Sequence, residues 1–219
     1  MSYDLQEQEQ VEALKAWWKA NANWVTWLAA AVLLVIVGYQ GWSWYGSRQA
    51  LAASALYEQF AHAADSKDPK DVAKAREVGG TLMERYGSTV YAAMAALRQA
   101  KSSIDAGDPK AAKAQLTWAA NHASARELSL LARARLAGLL LDEKSYDEAL
   151  KTLDVSVPDA FAAEFANRRG DVYAAEGKVS EARAAYSEAL AKAGTLPIRQ
   201  LIQLKRDALP ASSTSGGGA

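Results

Sequence analysis

The stretch that decides the fold runs from Asn167 to Leu190 and reads NRRGDVYAAEGKVSEARAAYSEAL. Alanine, glutamate, arginine and leucine dominate it, residues that lose little side-chain freedom in a helix. Gly177 punctuates it in the middle, so the stretch predicts two helices joined by a tight turn. The unit is not isolated. Upstream, Lys144, Tyr146, Ala149, Leu150 and Leu153 repeat its second half, and Ala149 precedes Ala182 by 33 positions. A weaker copy begins at Gly107-Asp108-Pro109 and carries Ala112 and Leu116, a further 37 residues back. Pro109 suits the first turn of a helix, where no amide partner is lost. Strand signals are few throughout this part of the chain.

The last unit resembles a tetratricopeptide repeat, whose period is about 34 residues. In that resemblance Gly170 is the small residue that lets two helices approach, Tyr173 the aromatic of the first helix and Gly177 the turn. Ala182, Tyr186 and Ala189 supply the small-aromatic-small pattern of the second helix. The first pair is the least typical. Arg48 to Ala64 predicts one helix and Pro69 to Tyr86 the other, with Gly79-Gly80 marking a kink or a close helix contact. Leu196-Pro197 to Leu209 predicts a closing helix, and the residues from Pro210 to Ala219 a flexible tail. Such pairs bury their apolar faces only by stacking, which leaves a concave surface.

Working outward to the N-terminus, no charged side chain occurs from Ala20 to Ser47. The apolar run from Trp24 to Tyr45 corresponds to roughly 33 Å of helix, enough for a hydrocarbon core of about 30 Å. Trp24 and Trp27 stand at one end, and Trp42, Trp44 and Tyr45 at the other, as expected of rings that prefer the headgroup level. Ala50-Leu51-Ala52 resembles a small-residue cleavage site, but the apolar run is longer than a signal-peptide core and bulky aromatics separate the two. Retention as an anchor is predicted. Lys15 and Lys19 on the near side outnumber Arg48 on the far side, which favours a cytoplasmic N-terminus. Ahead of the span, Val11, Leu14, Trp17 and Trp18 line one helical face, suited to a membrane surface or a partner, or simply to an extension of the spanning helix.

The expected architecture is therefore all-α: a single N-terminal transmembrane helix followed by a tetratricopeptide-like helical-repeat solenoid. The expected divisions are an amphipathic segment 1–22, a span 23–46, a repeat domain 47–209 and a tail 210–219.

Composition narrows the chemistry. The 25 Lys and Arg residues balance 25 Asp and Glu, so the basic excess of a nucleic-acid binder is missing. Half of the residues are hydrophobic, yet the mean hydropathy is only −0.17, because the apolar content is concentrated near the front and in alanine. Without cysteine there is no disulfide framework, thiolate catalysis or sulfur-ligated zinc. His62 and His122 lack acidic or nucleophilic neighbour motifs and read as surface residues. Gly177-Lys178 fails as a phosphate loop, since Val172 replaces the first glycine and Val179 the hydroxyl residue. Asp105, Asp171 and Glu176 read as solvated carboxylates. No cofactor or metal is expected, and a binding protein is predicted rather than an enzyme.

If the first helix of each pair lines the concave face, the groove presents Met94, Leu97, Lys101, Leu131, Asn167 and Asp171. Leu97 and Leu131 also suit the core. The mixture of apolar and polar groups fits an extended peptide or a partner helix.

Three segments together resemble the ancillary SecYEG translocon subunit family: Glu9 to Asn21, Tyr86 to Leu97, and Ala166 to Tyr186 with its Arg169-Gly170-Asp171 entry. The resemblance implies a single-pass bacterial inner-membrane protein with a cytoplasmic N-terminus and a periplasmic repeat domain. It implies association with the SecYEG channel, with a membrane-anchored peptidyl-prolyl isomerase-like chaperone, and with translocating polypeptides. Membrane lipid is a further expected partner and nucleic acid is not. A membrane-anchored scaffold for another envelope or cell-division complex is the alternative, because tetratricopeptide units serve many functions.

Overall fold

A computed structural model describes residues 3–66, 68–195 and 197–210. Among these residues there are nine α-helices and no strand. The chain divides into two compact units, residues 1–51 and 52–219. Helix α1 (Tyr3–Ala64) supplies the helix of the first unit and the opening helix of the second.

In the first unit, the most apolar eighteen-residue window of α1 has a mean hydropathy of 1.8 and none of it is buried. A core helix of a soluble domain would be covered by neighbours. This one exposes Leu33, Leu34, Val35 and Val37 all around, together with Trp24, Trp27, Trp42, Trp44 and Tyr45. Several of its polar side chains bond within the helix, as suits a low-dielectric surrounding. Thr26 donates to the Ala22 carbonyl at 2.6 Å, Ser47 to Ser43 at 2.9 Å, and the Trp24 indole to Asn21 at 2.9 Å. At the far end the Arg48 guanidinium lies 4.0 Å from the centre of the Trp44 ring, a cation–π contact. Val11, Leu14, Trp17 and Trp18 are exposed on the same helix.

The second unit is a series of helix pairs. The end of α1 packs with α2 (Pro69–Arg85) through Phe60, Ala63, Ala75 and Leu82. Next come α3 (Val90–Asp105) with α4 (Pro109–His122), and α5 (Arg126–Asp142) with α6 (Tyr146–Leu153). The last pair is α7 (Asp159–Glu176) with α8 (Val179–Ala193), closed by α9 (Ile198–Asp207). Leu196 and the tail from 211 lie outside the described residues.

Local chemistry sets the boundaries. Asp68 and Asp108 cap α2 and α4, accepting from Lys70 N at 2.8 Å and Ala111 N at 3.0 Å, each followed by a proline in the first turn. The turns inside three pairs share one geometry. Asp108 N donates to Ser103 O at 2.8 Å, Ser145 N to Leu140 O at 2.8 Å, and Lys178 N to Tyr173 O at 2.9 Å. Each closes a Schellman motif around a left-handed residue: Gly107, Lys144 and Gly177 at φ 74°, 60° and 83°. The middle turn thus uses lysine where its neighbours use glycine.

Two glycines mark close helix approaches. A Cβ on Gly170 would stand 2.5 Å from the Tyr186 ring, so α7 and α8 meet there without space for a methyl group. Gly79, rather than kinking α2, makes room for the buried Gln99 of α3. The Gln99 amide donates to the Ala75 and Arg76 carbonyls at 3.0 Å each, tying the first two pairs together. Alanine fills most of the core, with Phe60, Phe165, Leu116, Leu140 and Leu153 as the large buried side chains.

Candidate partner-binding cleft

The first helices of successive pairs touch one another, α3 with α5 and α5 with α7. They form one continuous face, and on it lies an open cleft of about 390 Å³. Leu97, Leu116 and Leu139 are its buried floor. Lys101 and Ile104 from α3, Arg135 and Asp142 from α5, and Arg168 from α7 form the walls. A smaller cavity of about 90 Å³ lies between α2 and α3 beside Gln99, whose amide is already engaged with Ala75 and Arg76.

The three cations differ in their engagement. Lys101 pairs with Asp105 at 2.6 Å, both largely exposed, so water competes effectively for that bridge. Arg168 pairs with Glu164 at 3.2 Å, reaches Asp171 at 4.0 Å and lies near Gly138 of α5. Arg135 is exposed and makes no ion pair among the described residues. Asp142 is the sole carboxylate among the lining residues.

Of the groove residues expected from sequence, the structure brings Leu97 and Lys101 into the cleft. Met94 is exposed on α3 outside its lining, and Leu131 is half-buried against the central core. Asn167 and Asp171 lie where α9 closes on α7. The Lys205 ammonium donates to Asp171 at 2.8 and 2.9 Å and to Asn167 at 3.3 Å, and the Tyr186 hydroxyl donates to Asp171 at 2.8 Å. The expectation of a solvated Asp171 is corrected accordingly: its side chain is only 13% exposed, because α9 covers it. Burial, reinforced by the bond to the Asp171 carboxylate, raises the Tyr186 pKa well above the ordinary value.

Sequence reasoning missed Arg135, Arg168, Ile104, Leu139 and Asp142. A signal was available: Lys101, Arg135 and Arg168 are spaced by 34 and 33 residues, the repeat period itself. His62 and His122 are both exposed, and His122 stacks on Trp118 with ring centres 5.3 Å apart. Among the described residues no cluster of histidine and carboxylate groups is arranged to hold a metal ion.

A stack of helix pairs with an open cleft on its first-helix face, together with one apolar helix of membrane-spanning length, defines a membrane-anchored helical-repeat protein. The family model described as a tetratricopeptide repeat-like domain matches residues 15–211. An ancillary SecYEG translocon subunit of Neisseria gonorrhoeae is 33% identical over 95% of this chain and 100% of its own length. Proteins of the same description from Escherichia coli and Haemophilus influenzae are 29% and 26% identical, over 91% and 94% of this chain and 94% and 98% of theirs. The chain belongs to the ancillary SecYEG translocon subunit family. No solved structure matches it.

Proposed function

We propose that this protein is a non-enzymatic accessory subunit of the SecYEG translocon in a bacterial inner membrane. The observation that carries the proposal is the end-to-end correspondence with a relative of that description, 95% of this chain against 100% of the other. Shared repeats alone would support only a shared scaffold. Here the apolar helix and the repeats correspond together. In this reading the Trp24–Tyr45 segment docks beside the channel, with Lys15 and Lys19 cytoplasmic and the repeat domain periplasmic. The cleft on α3, α5 and α7 then holds a segment of a periplasmic chaperone, of the membrane-anchored peptidyl-prolyl isomerase-like kind, or of a chain leaving the channel.

Affinity purification of the full chain from gently solubilised membranes tests the assignment. Channel subunits are expected to be enriched with the wild-type chain and lost when the span is replaced by an unrelated apolar helix. Recovery of envelope proteins without channel subunits would overturn it.

A further inference from the structure

We infer that the cleft takes an extended acidic and apolar peptide segment of a protein partner, and not merely any unfolded chain. The inference rests on the reading of this face as a binding groove and specifies what the groove selects. Three cations, Lys101, Arg135 and Arg168, line the cleft with Asp142 as the sole lining carboxylate. Lys101 and Arg168 also pair with Asp105 and Glu164 beside it, whereas Arg135 makes no ion pair among the described residues. They come from equivalent places in three successive first helices, so they form a row one repeat apart.

Packed helices lie roughly 8–10 Å apart. A chain extended as a polyproline II helix advances about 3.1 Å per residue with about three residues per turn, so residues three apart lie on one side roughly 9 Å apart. Carboxylates with that spacing meet successive cations of the row. The side chains between them flank the row, where Ile104 of the wall and Leu139 of the floor offer apolar contact. Arg135 sits at the centre of the row and makes no ion pair among the described residues, so it is the anchor. The exposed Lys101–Asp105 bridge opens readily for a second carboxylate.

The experiment uses the full chain in detergent micelles and a fluorescent peptide with glutamate at every third position and leucine and proline between, followed by anisotropy. A peptide with lysine in place of glutamate is the comparison. The glutamate peptide is expected to bind and the lysine peptide to bind at least about tenfold more weakly. Arg135→Glu should weaken the glutamate peptide by about tenfold or more, as loss of a charge-assisted bond implies. Lys74→Glu, an exposed position on α2 with the same change in charge, should leave it unaltered. Equal binding of the two peptides, abolished by Ile104→Asp, would overturn the acidic preference while leaving the groove intact. Equal weakening by Arg135→Glu and Lys74→Glu would reduce the effect to net charge and overturn the anchor. Failure of both peptides to bind would overturn the groove reading with it.

Discussion

Replacing Gly170 with alanine is the sharpest test of how the last helix pair is built. The added Cβ would lie 2.5 Å from two ring carbons of Tyr186 and 3.0 Å from a third, well inside van der Waals contact. Either α7 and α8 separate or the ring swings away, and overpacking of this kind costs about 1–3 kcal/mol. A displaced ring also strains the 2.8 Å bond from its hydroxyl to Asp171, a bond to a charged group worth about 1.5–3 kcal/mol. Against this, alanine improves helix propensity by about 1 kcal/mol over glycine. The balance is a destabilisation of about 2 kcal/mol, which raises local opening roughly 30-fold. Hydrogen–deuterium exchange of peptides from α7, α8 and α9 reads it directly. Gly138→Ala is the control, because its Cβ would meet Arg168 at an ordinary 3.6 Å and the propensity gain should dominate. If Gly170→Ala exchanged as slowly as the wild type, or more slowly, the close approach of α7 and α8 would be refuted.

Other consequences follow from the same geometry. Lys144→Gly should stabilise the repeat domain by about 1 kcal/mol, since lysine there holds the left-handed conformation at φ 60°; a thermal midpoint unchanged or lowered would contradict this. Asp171→Asn removes the carboxylate shared by Tyr186 and Lys205, so exchange in α9 should rise about tenfold while α2 and α3 stay unchanged. Tyr186 has a folded pKa raised above its ordinary value of about 10, first by burial and then by Asp171. Its stabilisation is therefore complete below pH 10 and lost as pH rises above it, and Tyr186→Phe should flatten that alkaline decline in urea titrations. The chain has no cysteine, so single introduced thiols report topology without background. A membrane-impermeant maleimide added from the periplasmic side should label Ala184→Cys and spare Ala16→Cys, and the reverse pattern would invert the proposed orientation.

Much of this architecture was legible in the residues because repetition amplifies weak signals. Gly170, Gly177 and Tyr186 carry fixed geometric duties, and the structure shows each in its expected place at a close approach, a left-handed turn or an interhelical contact. The long apolar helix was equally plain, since nothing short of a membrane or a partner would cover its whole circumference. Other features depend on contacts that local pattern does not encode. Lys144 performs a glycine's duty, so composition could not mark that turn. Asp171 looks like a surface carboxylate until Lys205, 34 residues further on, closes over it. Gly79 read equally as a kink or a contact, and only the position of Gln99 decided between them. In the cleft, Lys101, Arg135 and Arg168 each resemble ordinary solvated cations. Only their spacing by 34 and 33 residues marks them as a set, and the packing of α3, α5 and α7 brings them into one cleft.

The most direct test of the central claim is photocrosslinking in intact membranes from a photoreactive residue at Leu34, which is exposed on the apolar part of α1. The account predicts a discrete adduct with a subunit of the SecYEG channel, identified by mass and absent without irradiation. Adducts confined to lipid or to proteins outside the channel would contradict it.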